Sequence, residues 1–166
     1  MKILTITIFL ILTLQIVSAS ASFGIVTNEL NLFEKNPNTW QIVDNGAYGK
    51  VIFSRVITPI KGIAQARIRY SAWKLEPKTE YQLIYYGSSD EVYNNVWNYA
   101  TCIGLPRRTS TQGYFNGGSS NFAYPYFFSD NIHQKIWIVL KSDVKCESGR
   151  MINWQPTKYL FEENTI

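Results

Sequence analysis

The chain has 166 residues, 16 Lys and Arg against 12 Asp and Glu for a net charge of +4, and 15% aromatic residues. The basic excess is small and scattered: Arg107-Arg108 is the only adjacent basic pair and no run of five like charges occurs, so a nucleic-acid partner or a polybasic membrane segment lacks its electrostatic footprint. A single histidine, His133, excludes a His-cluster metal site and a paired imidazole acid and base.

The first element is the opening "MKILTITIFLILTLQIVSASASFG". One charge at Lys2, an apolar run from Ile3 to about Val17 and then small residues read as a secretory signal peptide, cut after Ala21 or alternatively after Ala19. A spanning helix wants roughly 20 apolar residues, whereas this run is shorter and holds Thr5, Thr7, Thr13 and Gln15. The expected organisation is therefore a leader over residues 1–21 and one exported domain over 22–166, extracellular or at the cell surface. Cleavage removes only Lys2 among the charged side chains, and no later segment is long enough to span a bilayer.

The rest of the chain reads as short strands between turn signals spaced about 8 to 15 residues apart. "WQIVD" (Trp40 to Asp44) and "AYGKVIFSRVI" (Ala47 to Ile57) come first, parted by "DNGA". In "GIAQARIRYSAW" (Gly62 to Trp73), Ala64, Ala66, Ile68, Tyr70 and Ala72 alternate with Gln65, Arg67, Arg69 and Ser71. That period of two predicts one core face and one wet face. "EYQLIYYG" (Glu80 to Gly87), "VWNYATCIG" (Val96 to Gly104), "GYFNG" (Gly113 to Gly117) and "QKIWIVLKS" (Gln134 to Ser142) follow, separated by "KLEPKT", "GSSDE", "NGGSSN" and "KCESG", all turn or loop chemistry. "EKNPNTW" and "WQPTKYLFEE" have room for one helical turn each. In the fifth strand Trp97, Tyr99, Thr101 and Ile103 are assigned to the core face, leaving Val96, Asn98, Ala100 and Cys102 outward.

Strands without crossover helices cannot form a parallel sheet. The expected fold is all-β: an antiparallel two-sheet sandwich of jelly-roll or immunoglobulin-like type. Outside the cell, Cys102 and Cys146 pair as a disulfide by default. The alternatives are two buried thiols or a zinc site, and zinc wants about four ligands, more than two cysteines and His133 supply.

Several stretches together resemble a known pattern. "NLFEKNPNTWQIVDNGAYGKVIFS", "LEPKTEYQLIYYG" and "KIWIVLKSD" followed by "INWQPTKYLFE" look like a secreted domain of uncharacterised microbial proteins, notably archaeal and fungal ones. The matches fall between Asn31 and Glu162, with Tyr48 standing where the pattern carries Trp. The resemblance implies a β-sandwich outside the cytoplasm and no catalytic residues.

The chemical inventory is short. His133 lies near Ser129 and Asp130 but reads as a loop residue, and the acids Glu76, Glu80, Asp90, Glu91, Asp130 and Asp143 show no spacing that selects a glycosidase pair. "GSSDEVYNN" and "SDN" carry calcium-type oxygen ligands yet read as turns. No cofactor or metal is expected. The candidate ligand-binding residues are Tyr93, Asn94, Asn95, Trp97 and Tyr114, rings beside amides and glycines that suit a sugar, with Tyr124 of similar kind. These features predict a non-enzymatic extracellular module, structural or adhesive, whose partner is a glycan or an extracellular protein. A small carbohydrate-binding module is the alternative, and a secreted effector or glycan-active enzyme a further one.

Overall fold

A computed structural model describes residues 24–58, 62–86, 100–122 and 135–163. Strands β1 (Gly24–Phe33), β2 (Tyr48–Thr58), β3 (Gly62–Trp73), β6 (Phe115–Phe122) and the short β10 (Phe161–Glu162) form one antiparallel sheet in the order β10-β1-β2-β3-β6. A second antiparallel sheet runs β5-β4-β7, from Ala100–Arg108, Glu80–Tyr86 and Lys135–Leu140. Val144–Lys145 (β8) and Arg150–Met151 (β9) make a small ribbon. The described residues are all-β, with no α-helix among them and no helix long and apolar enough to cross a membrane.

Alternation builds the larger sheet. Ile68, Tyr70 and Ala72 of β3 are buried while Arg67 and Arg69 are exposed, as period two requires. The smaller sheet is covered on both faces, and its strands β4 and β7 are accordingly continuous apolar runs. Tyr81 meets Phe115 of the larger sheet, whereas Trp137, which pairs with Ile84, lies under Trp154 and Phe161.

The sheets are sewn together on both sides of a single core. Leu160 exchanges both backbone hydrogen bonds with Ile138 of β7 at 2.9 and 3.0 Å, and the next residue, Phe161, pairs with Phe33 of β1. On the opposite side the Tyr70 hydroxyl of β3 donates to the Leu105 carbonyl of β5 at 3.4 Å. Cys102 and Cys146 form the disulfide, 44 residues apart in sequence. In the chain-entropy model a loop of that length contributes about 4 kcal/mol.

Four sequence expectations are corrected. β1 was not anticipated, because Asn28 shares the parity of Leu30 and Leu32 and spoils the alternation. Trp40 to Asp44 is not a strand: the Asn36 side chain accepts from the Asn38 and Thr39 amides, and Trp40 then takes φ 58, leaving only an isolated bridge between Lys35 and Ile42. A strand cannot run through a left-handed residue. "NGGSSN" is not a loop but the body of β6, where the Tyr70 ring lies over Gly117 so closely that a Cβ there would come 2.3 Å from its hydroxyl. In β5 Ala100 is fully buried and Thr101 exposed, against the assigned faces. The start of β5 is covered by the turn after β8, whose Gly149 carbonyl accepts from the Ala100 amide at 2.8 Å.

Candidate functional site

The outer face of the larger sheet is built by the residues that share parity with Arg67 and Arg69. Phe33, Tyr48 and Trp73 are cross-strand partners. Tyr48 stacks on Trp73 at 5.0 Å between centroids, and Trp73 meets Tyr114 at 5.7 Å. Tyr48 and Tyr114 are 43% and 37% exposed, so the three rings form an open ridge across the strands. With strands about 4.8 Å apart, that ridge is roughly 10 Å across.

Tyr114 is held by the turn before β6. Ser110 Oγ accepts from the amides of Gln112 and Tyr114, both at 3.1 Å, and the Ser110 amide donates to the Tyr114 carbonyl at 2.8 Å. Gly113 has φ 73, and its carbonyl accepts from the Leu75 amide. A Cβ at Gly113 would lie 2.2 Å from the Leu75 carbonyl oxygen, so only glycine fits.

Beside the ridge runs a polar row, Lys50, Ser71 and Asn116, and then Ile52, Arg69 and Gly118. Together with Arg107 of β5 these residues border a groove of about 550 Å³. Lys50 pairs with Glu29 at 2.7 Å. The groove thus combines rings, amide and hydroxyl hydrogen-bonding groups and cations, with no carboxylate in its lining.

A second cluster surrounds Asp143, which is 1% exposed. Its carboxylate accepts from Ser142 Oγ at 3.0 Å, Asn153 Nδ2 at 3.2 Å, Gln155 Nε2 at 3.1 and 3.0 Å and the Tyr159 hydroxyl. Burial first, and then the bond to Asp143, push the Tyr159 phenol well above its ordinary pKa. A carboxylate so fully occupied positions the closing "INWQPTKY" segment and has no lone pair left for a substrate.

Other acids are also engaged in structure. Glu34 Oε2 accepts from the Ala47 amide at 2.8 Å, and Glu76 pairs with Lys158 at 3.0 Å. Glu162 accepts from the Ile136 amide and lies 3.9 Å from Lys135, and burial raises its pKa. Among the described residues no three His, Cys, Asp or Glu gather as a metal site.

Of the residues singled out from the sequence, Tyr114 joins the ridge. Tyr93, Asn94, Asn95 and Trp97 lie outside the described residues, as do Tyr99, Tyr124 and His133 with its neighbours Ser129 and Asp130. Sequence reasoning missed Tyr48, Trp73, Arg69 and Asn116. The signal was present for Trp73, which continues the outward parity of Arg67, Arg69 and Ser71. No family model matches the chain, and no curated protein or solved structure matches it.

Proposed function

We propose that this chain is a secreted, non-enzymatic module that adheres to glycan at a cell surface, wall or matrix. The fold that goes with this reading is a two-sheet sandwich of jelly-roll or immunoglobulin-like type, supported by two antiparallel sheets around one core. The observation that carries the function is the ridge of Tyr48, Trp73 and Tyr114 on a sheet face, with both tyrosines exposed and Trp73 half-buried between them. Rings of this kind cover the apolar C–H faces of sugars, while Ser71 and Asn116 alongside supply partners for hydroxyls. A purely structural role gives no reason to leave two tyrosines exposed on either side of a half-buried tryptophan on one sheet face.

The test is a titration of the purified protein against a panel of polysaccharides. Binding is expected, and Trp73→Ala should weaken it about tenfold, since one aromatic contact is worth roughly 0.5–1.5 kcal/mol beyond its area. Tyr48→Ala should act in the same direction. A panel without binding, or binding indifferent to both substitutions, overturns the proposal. Turnover of any glycan that is lost in Glu76→Gln overturns its non-enzymatic part.

A further inference from the structure

The cations of the groove are unevenly balanced. Lys50 is neutralised by Glu29 at 2.7 Å. Arg69 and Arg107 are exposed, border the same groove, and have no carboxylate partner among the described residues. They come from different sheets, Arg69 from β3 and Arg107 from β5, and are brought together where the Tyr70 hydroxyl bridges to Leu105. Gly118, the cross-strand partner of Arg69 on the outer face, adds no side chain to the groove beside that guanidinium group. Tyr114 and Asn116 stand at the same groove, linking it to the ridge.

We infer that the groove selects an anionic polysaccharide, one whose sugar units carry a carboxylate or sulfate. This rests on the glycan-binding reading above and narrows its ligand. The guanidinium group is a planar fork of N–H donors that matches the two oxygens of a carboxylate or two of a sulfate, and it stays charged at every physiological pH. A neutral polysaccharide would leave both forks answered only by hydroxyls. A chain lying along the ridge sets its sugar faces on Tyr48, Trp73 and Tyr114 and its acid groups toward Arg69 and Arg107. Two such charge contacts also make the binding salt-dependent, because exposed charges are screened over about 10 Å at 0.1 M salt.

Isothermal titration of the purified protein against three probes tests this: a polygalacturonate, the same polymer with its carboxylates reduced to alcohols, and dextran sulfate. The expected result is at least tenfold tighter binding to polygalacturonate than to its reduced form, weakening as salt is added. Arg69→Gln with Arg107→Gln should abolish that preference and most of the salt dependence yet keep the weak binding to the reduced polymer. Trp73→Ala should lower binding to both forms. Dextran sulfate separates the sources of the anion. Binding that falls in both variants assigns the groove to oxyanions in general, and its absence assigns the groove to carboxylates. Equal affinity for charged and reduced polymers overturns the anionic inference while the glycan-binding proposal stands. No binding to any probe, beside a neutral glycan that does bind, overturns the inference too, whereas failure of the whole panel sinks the proposal beneath it. Polyanion binding unchanged in both variants also counts against it, as it would be diffuse charge attraction.

Discussion

Asp143 shows what a single residue does here. It is buried with no ion-pair partner among the described residues, and the four side chains that donate to it, from Ser142, Asn153, Gln155 and Tyr159, are uncharged. Removing the carboxylate strands the buried Tyr159 hydroxyl and takes away the partner of the half-buried Gln155 amide, so Asp143→Ala should cost about 3 kcal/mol and Tyr159→Phe about 2 kcal/mol. Because they share one network, the double variant should lose at least about 1 kcal/mol less than the two single losses together. Urea unfolding of the three variants measures this, and strict additivity would mean that the network is not a unit. From the sequence Asp143 was one acid among many. Its role depends on a 3-10 turn at Lys141–Asp143 and another at Pro156–Lys158 that fold residues 10 to 16 positions away onto it, which no spacing rule reveals.

At the scale of elements, legibility followed regularity. β3 was readable because its alternation is unbroken, and β4 and β7 because strands covered on both faces are runs of apolar residues. β5 was misread at its start, where the turn after β8 covers Ala100, and further along it carries a bulge: from Tyr81 to Leu83 β4 advances two residues while its partner moves four, from Arg107 to Ile103, with Gly104 at φ 65. That bulge explains the lone polar residue inside β4, since buried Gln82 donates its amide to the Ile103 and Leu83 carbonyls at 2.9 Å. β6 was hidden because glycines suggest loops, and only the ring of Tyr70 makes Gly117 a strand residue. Of the candidate site only Tyr114 was found, since the ridge joins residues 48, 73 and 114 through strand register. The turn that sets Tyr114 gives a sharp test. Gly113→Ala combines a left-handed backbone with a side chain driven into the Leu75 carbonyl and should cost about 3 kcal/mol. It should also weaken glycan binding under conditions where the variant remains folded. A variant as stable as the wild type by thermal unfolding would show that this turn adapts.

The molecule as a whole is closed by phenols, and this fixes its response to alkali. Tyr70, Tyr81 and Tyr159 reach into the region between or beside the sheets and are at most 4% exposed. Burial raises the pKa of all three, that of Tyr81 to about 12 from an ordinary 10.0. Between pH 10 and about 12 the unfolded chain has released the Tyr81 proton while the folded chain keeps it. The folded state then binds more protons, so its stability is whole below pH 10 and is lost as the pH rises through this window. Lys35 acts the other way. It is buried with Nζ on the Glu163 carbonyl at 2.6 Å, and burial lowers its pKa from 10.5, so stability gains slightly as the pH rises toward that value. The steep loss should therefore begin above about pH 10.5. Followed by phenolate absorbance, the buried set should appear only together with loss of tertiary structure. Tyr81→Phe should make the stability curve shallower in that window, at the cost near neutrality of the bond its hydroxyl accepts from the Glu76 amide at 3.3 Å. If every phenol titrated in one step with the fold intact, the interior would be wetter than the packing of these rings allows.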